Sequence, residues 1–379
     1  MRIGIDIRSL QNDSQSRGIG TYTRCLVKSL LALDNDNEYV FFAFKNQPLP
    51  GMVGELKAEV RVRKVTSRRK RFVWLSGQAF FPLAIRQERL DVFHSPEYIV
   101  PVFSKAKKVI TVHDFINSDF ELYRKLSGVL RRAYFYLKDK TLHHADGIIA
   151  ISEYTKKKII EFTAIAENKI KVIYEAADDI FRPCLDSREL SGLRKKYNIN
   201  RDFLLYVGAL DYHKNIDGLI KSFAKINHKD TGLVLIGVKN DPKYFVHIEE
   251  LIKNLGLSDR VYILGYIPKE DLVGFYNLAK AVISVSFYEG FGLPIIEGMS
   301  CAKPVIAAGN TSMREIVGDA GILVNPANTD EIAFAIDKLL SDDGLNKTLS
   351  EKCLKRSYDF SWEKTAKETL ALYQELTNL

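Results

Sequence analysis

The sequence predicts an α/β protein built on two open, parallel sheets. Three observations predict it. Short β-branched runs alternate with amphipathic stretches along most of the chain, the pattern of stacked βαβ units. The alternation is interrupted once, around Asp178–Asn200, by a charged stretch containing Pro183. The 379 residues suffice for two domains of ordinary size, each with its own core.

In chain order, the expected strands of the first half are Ile3–Ile7, Tyr39–Phe44, Val60–Val65, Asp91–His94, Lys108–His113, Gly147–Ile151 and Lys171–Tyr174. Those of the second half are Phe203–Val207, Leu233–Ile236, Val261–Leu264, Ala281–Val285, Pro304–Ala307 and Gly321–Val324. Most are short apolar runs rich in β-branched residues, as strands covered on both faces require. Helices fall between them, including Thr21–Leu33, Asn215–Ile226 and Asp330–Leu340. This gives a first domain over residues 1–180, a linker over 181–200 and a second domain over 201–359.

Hydrophobic content of 46% with 27% charged residues is that of a soluble globular chain. No apolar run approaches the ~18–20 residues that a membrane helix needs. The N-terminal Met1-Arg2-Ile3-Gly4-Ile5-Asp6-Ile7 enters a strand pattern at once, so no signal peptide is expected, and a cytoplasmic location is. Cys25, Cys184, Cys301 and Cys353 lie far apart without Cys-x-x-Cys spacing, which points to a reducing compartment and to neither zinc nor disulfides.

The net charge of +8 is unevenly spread. Residues 1–178 carry 30 Lys and Arg against 20 Asp and Glu, and the remainder 25 against 27. The excess peaks at Arg61, Arg63, Lys64, Arg68, Arg69, Lys70 and Arg71, followed by Phe72, Trp74, Phe80 and Phe81. Such a run suits an anionic membrane surface, with the protein peripheral to it, or it is a solvated loop. Nucleic acid is not expected as a partner, since no zinc-finger spacing, RNP-like aromatic motif or recognition helix accompanies the charge.

The most informative segment is Phe287-Tyr288-Glu289-Gly290-Phe291-Gly292-Leu293-Pro294-Ile295-Ile296-Glu297-Gly298. It follows the apolar run at 281–286 and reads as strand, glycine turn and helix start, with Pro294 suited to the first helical turn. That layout aims free N–H groups of Gly290, Phe291, Gly292 and Leu293 at an anion, most often a phosphate. Glu289 on the loop and Glu297 about one turn into the helix both reach a ligand held there, although a glutamate in a first turn also complements the helix dipole. Tyr206-Val207-Gly208-Ala209-Leu210-Asp211-Tyr212-His213-Lys214-Asn215 is a second strand–turn–helix start. Lys214 stands where a compact cation meets a diphosphate and offsets charge on a leaving group; the alternative is a solvated surface lysine.

In the first domain, Gly18-Ile19-Gly20 precedes a helix and permits close approach to a phosphate, or makes a simple turn. It lacks the third glycine and downstream acid of a dinucleotide fingerprint. Ile110-Thr111-Val112-His113-Asp114 places a His–Asp pair at a strand end, either in a site or as a structural pair. Ser152 is a plausible N-cap. Asp34-Asn35-Asp36 has the letters of an Asp-x-Asp metal element but a turn's composition and setting, and no metal is expected. Two carboxylates also bring a glycosidase to mind, but a phosphate cradle would then have no purpose.

The segment at 287–298, with Lys214, resembles the signature of the retaining, nucleotide-sugar-dependent glycosyltransferases of family 4. It also includes Val305-Ile306-Ala307, Glu315 and Gly321, and the likeness spans essentially the whole chain. The resemblance implies the GT-B architecture: two facing Rossmann-like domains with a deep interdomain cleft, and a C-terminal helix (360–379) crossing back to the first domain. It implies that Glu289 reaches the donor sugar, the Gly290–Leu293 amides hold the diphosphate, and Glu297 holds the ribose. It further implies that Lys214 stabilises the leaving diphosphate, His113 faces the sugar near the reacting carbon, and Gly18 and Gly20 approach the diphosphate from the opposite wall. Many relatives have an Arg in the turn after Gly208. Here Ala209 and His213 stand nearby, so His213 or a first-domain arginine is the substitute contact.

The opening Gly-Ile-Asp-Ile-Arg with Gly-Ile-Gly-Thr-Tyr resembles bacterial mannosyltransferases of polysaccharide assembly. This implies a hexose donor, GDP-mannose, used as substrate with no separate cofactor, and a saccharide or lipid-linked saccharide acceptor. The rivals are a UDP-sugar transferase, a nucleotide-sugar epimerase of the same architecture, and a basic membrane- or polyanion-binding module without catalysis.

Overall fold

The computed structural model describes residues 1–12, 18–45, 47–48, 61–65, 82–97, 100, 104–114, 140–184 and 187–378. Two compact units result: Met1–Glu175 with Trp362–Leu379, and Ala176–Ser361.

The first unit is a seven-stranded sheet in the order β3-β2-β1-β4-β5-β6-β7, and every pairing is parallel. Its strands are β1 (Arg2–Asp6), β2 (Glu38–Phe44), β3 (Arg61–Val65), β4 (Val92–Ser95), β5 (Lys107–Val112), β6 (Gly147–Ala150) and β7 (Ile170–Val172). Helices α1 (Gly18–Leu33) and α2 (Glu153–Thr163) follow β1 and β6. Ser152 caps α2 by accepting from the Thr155 N–H at 3.0 Å, as its sequence position predicts. The central strands are buried on both faces, with Val40, Phe42, Phe93, Ile110 and Ile148 in one cluster, while the edge strand β3 is mostly exposed or half-buried. Phe42 and Phe93 meet edge to face at 5.4 Å.

The second unit is a six-stranded parallel sheet in the order β10-β9-β8-β11-β12-β13. The strands are β8 (Phe203–Val207), β9 (Gly232–Ile236), β10 (Val261–Leu264), β11 (Ala281–Ser284), β12 (Val305–Ala308) and β13 (Ile322–Val324). Helices α3 (Ser187–Lys196), α4 (Ile216–Lys225), α5 (Pro242–Asn254), α6 (Lys269–Leu278), α7 (Leu293–Ser300), α8 (Met313–Val317), α9 (Thr329–Ser341) and α10 (Asp343–Ser357) belong to the same unit.

Both sheets reverse direction of growth beside their first strand. In the first unit the reversal separates β1 from β4, and in the second β8 from β11. At such a switch point the two outgoing loops diverge, leaving a crevice at the strands' carboxyl ends where open α/β sheets bind ligands.

Two expectations need correction. The stretch read as a linker over 181–200 contains α3, which packs in the second unit. Lys196 and Tyr197 both bond the Asp271 carboxylate of α6 at 2.6 Å, and Leu193 lies against Gly274. The helix after β1 also begins earlier than Thr21, so Gly18 and Gly20 form its first turn and do not precede it. The C-terminal helix α11 (Trp362–Thr377) joins the first unit, where Thr365 donates to the Tyr174 carbonyl at 2.7 Å.

Candidate active site

At the end of β11 the chain passes through Ser286 and Glu289 to Gly292 and enters α7. Gly292 has φ +101°, and a Cβ there would stand 2.8 Å from Met313 Cγ. Any other residue would be both strained and crowded. The tight turn points the start of α7 outward, and Ile295 closes it by donating to the Gly292 carbonyl at 2.9 Å. The Gly292 and Leu293 N–H groups have no partner among the described residues. Phe291 is not a ligand-facing ring: it is buried against Phe360 at 6.0 Å, so only its backbone can serve an anion.

At the neighbouring end of β8, the Gly208 N–H donates to the Ile236 carbonyl at 2.9 Å. The turn that follows leads to Lys214 and Asn215. Asn215 is left-handed (φ 57°) and buried, and its amide donates to the Val285 and Pro326 carbonyls at 3.0 and 2.7 Å. The first holds the β8 turn to the end of β11 and the second to the segment after β13. A third comes from the His213 carbonyl, which accepts from the Phe287 N–H at 2.9 Å. Lys214 Nζ is thereby placed 2.6 Å from Glu289 Oε1, with the lysine side chain 19% and the glutamate 13% exposed. Ser286 Oγ donates to the same carboxylate oxygen at 3.1 Å, and Ser312 Oγ to the Glu289 carbonyl at 2.9 Å. Lys214 and Glu289, 75 residues apart in sequence, thus form one group at the switch point of the sheet.

Glu297 lies in α7 and is buried. Its Oε2 accepts from the Tyr276 hydroxyl at 2.7 Å. Burial pushes its carboxyl up to about 7, against the opposing pull of the Tyr276 bond and of Lys269. Lys269 in turn pairs with Asp178 at 2.5 Å. This second carboxylate sits in a drier setting than Glu289, with a single neutral donor in place of an ammonium.

In the first unit the carboxyl ends of β1, β4, β5 and β7 gather titratable groups. Asp6 and Arg8 form a short pair, Nη2 to Oδ2 at 2.6 Å, after β1. His113, just past β5, is buried and has both ring nitrogens engaged: Nδ1 lies 2.9 Å from Glu175 Oε1 and Nε2 3.0 Å from the Pro96 carbonyl. Burial opposes protonation, but the Glu175 bond and charge outweigh it and raise the imidazole above its ordinary value. The ring nitrogens bond Glu175 and Pro96, so the adjacent Asp114 is not the hydrogen-bonding partner that the His–Asp pair suggested. Gly18 is exposed and Gly20 buried in the first turn of α1, where N–H groups lack helical partners.

The structure therefore brings together Gly208, His213, Lys214, Glu289, Gly290, Phe291, Gly292, Leu293 and Glu297 at the ends of β8 and β11 and the start of α7. Gly18, Gly20 and His113 lie in the other unit, at the ends of β1 and β5. Reasoning from sequence missed Tyr276 and Glu175, the partners of Glu297 and His113, for which no local signal exists. It also missed Gly237, where a Cβ would stand 1.7 Å from the Gly208 carbonyl oxygen; glycine directly after the β9 run was the available clue.

Of the basic cluster, Arg68–Arg71 and the aromatics lie outside the described residues. Arg61 and Arg63 face the buried Glu88, at 3.4 and 3.6 Å, together with Arg2 at 3.4 Å. Asp34 organises a turn, accepting from the Asp36 and Asn37 N–H groups and from the Tyr39 hydroxyl. No group of acidic, histidine or cysteine side chains able to hold a metal, and no helix long and apolar enough to cross a membrane, occurs among the described residues.

Comparison with known proteins bears on this geometry. Residues 192–356 match the family described as "Glycosyl transferases group 1", and residues 16–179 that described as "Glycosyltransferase Family 4". The chain is 28% identical over 378 residues to O-antigen chain mannosyltransferase B of Escherichia coli, covering 95% of this chain and 96% of that one. It is 26% identical over 399 residues to serotype-specific mannosyltransferase WbdA of E. coli, covering 97% of this chain but 47% of the relative, so it spans about half that protein's length. An uncharacterized glycosyltransferase of Methanocaldococcus jannaschii is 30% identical over 304 residues, 78% of each chain. Among solved structures, a glycosyltransferase from Rickettsia africae aligns with TM-score 0.77 at 24% identity, covering 99% of this chain and 98% of that one. Anabaena Alr3699/HepE in complex with UDP-glucose aligns with TM-score 0.79 at 19% identity, covering 98% and 100%.

Proposed function

The chain belongs to the family 4 glycosyltransferases, with the two parallel-sheet domains of the GT-B class, and from that premise we propose that it transfers mannose from GDP-mannose, with retention of configuration, to a hydroxyl of a saccharide or lipid-linked saccharide. The observation that carries this reading is the Lys214–Glu289 group beside the open start of α7, at the switch point of the second sheet. The mannosyl group follows the names of the E. coli mannosyltransferase relatives, and a saccharide acceptor follows the O-antigen chain in one of them.

In this mechanism the diphosphate lies against the Gly292 and Leu293 amides and the positive end of α7. Its charge competes with Glu289 for the Lys214 ammonium. The lysine then stabilises the departing diphosphate as negative charge grows on it, and the released Glu289 carboxylate accepts hydrogen bonds from the donor sugar. Glu297 accepts from the ribose diol. The acceptor hydroxyl attacks from the face the diphosphate leaves, through an oxocarbenium-like state, and the departing phosphate oxygen takes its proton. No metal is needed, because lysine and helix terminus supply the positive field.

A panel of GDP- and UDP-sugars, with nucleoside diphosphate release followed in the presence of a mannose-terminated acceptor, tests the reading. Release confined to GDP-mannose supports it. Turnover with a UDP-sugar, the class bound by the Anabaena protein, moves the donor assignment; no release with any donor removes the transferase reading.

A further inference from the structure

Two buried histidines of the first unit, His94 on β4 and His113 just past β5, have partners that favour different charge states. His94 on β4 has Nδ1 2.5 Å from the Tyr373 hydroxyl and Nε2 2.8 Å from Thr111 Oγ1. Hydroxyls both donate and accept, so a neutral ring satisfies them, and burial, with the nearby His113 charge, lowers His94 to about 3. Among the described residues, the ring nitrogens of His113 meet only acceptors. The Pro96 carbonyl cannot donate, so Nε2 carries a hydrogen; an ionised Glu175 cannot donate either, so Nδ1 carries the other.

We propose that Glu175 is a positioning residue at the carboxyl-end crevice of the first sheet: it holds His113 as a doubly protonated imidazolium whose second N–H pins the Pro96 carbonyl and so sets Glu97 at the switch point of that sheet. The mechanical logic is direct. One ring bridges the ends of three strands, β4 through Pro96, β5 through its own backbone and the segment after β7 through Glu175. With both N–H groups engaged, the ring acts by its charge and by what it holds in place, and not as a free donor to the sugar.

Among the described residues, the groups around this ring come from several elements. Asp114 and Glu175 favour its charge, Glu97 feels that charge, and the Asp6–Arg8 pair after β1 acts on Glu97 from the other side. Tyr22 of α1 lies edge-on to the ring at 4.8 Å and itself meets Trp362 of α11 at 5.7 Å. Glu97 makes no hydrogen bond through its carboxyl among the described residues, leaving that group able to accept one from a substrate hydroxyl.

The kinetic part rests on the transferase reading; the spectroscopic part does not. Two-bond ¹H–¹⁵N correlations on the full chain should show both His113 nitrogens protonated at neutral pH, with titration above 6.5, the ordinary imidazole value. Glu175→Gln keeps an acceptor but removes the charge, and should move that titration down. It should also lower kcat/KM above pH ~7 by roughly tenfold relative to its value near pH 6, the scale of losing one correctly protonated group. Nucleotide affinity in the second unit should stay within about twofold. Should Glu175→Gln not fold, the wild-type spectrum decides alone. An unprotonated Nδ1 at neutral pH, meaning the proton resides on Glu175, overturns the proposal, as does an unmoved titration in the variant. Absence of transfer with every donor, with the spectra as expected, would remove the kinetic role and the transferase reading together while leaving the charge state established.

Discussion

Glu297 sets an opposition between stability and binding that pH should expose. Its carboxyl is buried with the Tyr276 hydroxyl as a neutral donor at 2.7 Å, and burial raises it from 4.5 in the unfolded chain to about 7. The sign follows from linkage. A group whose folded value is raised contributes fully below the unfolded value and loses that contribution as pH rises through the folded one. The separation between 4.5 and about 7 corresponds to ~3 kcal/mol of stability lost by about pH 8. Glu297→Gln, neutral throughout and able to accept from Tyr276, should therefore unfold later than the wild type at about pH 8. The expected rise is roughly 6–12 °C for a unit of this size, shrinking toward pH 5. Donor affinity should move the other way. If the ribose diol needs the ionised carboxylate, about a tenth of the wild-type protein is competent at pH ~6, and binding is ~10-fold weaker there than at pH ~8. The diphosphate of a nucleotide sugar does not titrate in that range, so the slope reports the protein. Calorimetric titration of both proteins across this range, with melting curves, checks it. A flat wild-type affinity, or a variant no more stable than wild type at alkaline pH, would refute the burial argument.

Lys214→Ala should lower transfer by roughly 10²-fold, the scale of removing one transition-state electrostatic contact, and Glu289→Ala should cripple transfer while nucleotide affinity stays near wild type. Wild-type turnover in either, measured by diphosphate release, would disconnect the 2.6 Å pair from chemistry. Activity should survive excess EDTA; loss restored by Mg²⁺ or Mn²⁺ would show that lysine and helix terminus do not suffice. Changing Arg68, Arg69, Lys70 and Arg71 to Ser should weaken flotation with anionic liposomes, since each basic residue near such a surface contributes about 1 kcal/mol, and should spare donor hydrolysis. Equal recovery with neutral and anionic vesicles would make that run a solvated loop.

Most of the architecture was legible because parallel strands covered on both faces must be continuous apolar runs, and those from Ile3 to Val324 stand out against charged helices. The α3 helix was not legible. Its leucines, Leu190 and Leu193, are set among arginines and lysines, so composition resembled a linker, while those leucines against Gly274 and the Lys196 and Tyr197 bonds to Asp271 dock it. In the candidate site, the places of Glu289 and Glu297 were readable because a glycine turn entering a helix constrains the residues around it. Their partners were not. Tyr276 reaches Glu297 from 21 residues away and Glu175 reaches His113 from 62, contacts that only the sheet order creates. Arg61 and Arg63 carried a second meaning invisible in a charge count, as counter-charges to a buried Glu88.

The most direct test of the central claim is proton NMR of the sugar product formed from an α-linked nucleotide-sugar donor, GDP-mannose first, with diphosphate release measured in the same tube. The account predicts stoichiometric release and a new α-glycosidic anomeric signal, present with the wild type and reduced about 10²-fold with Lys214→Ala. A β-linked product would contradict retention, and an undiminished signal from the lysine variant would contradict the role assigned to the Lys214–Glu289 group.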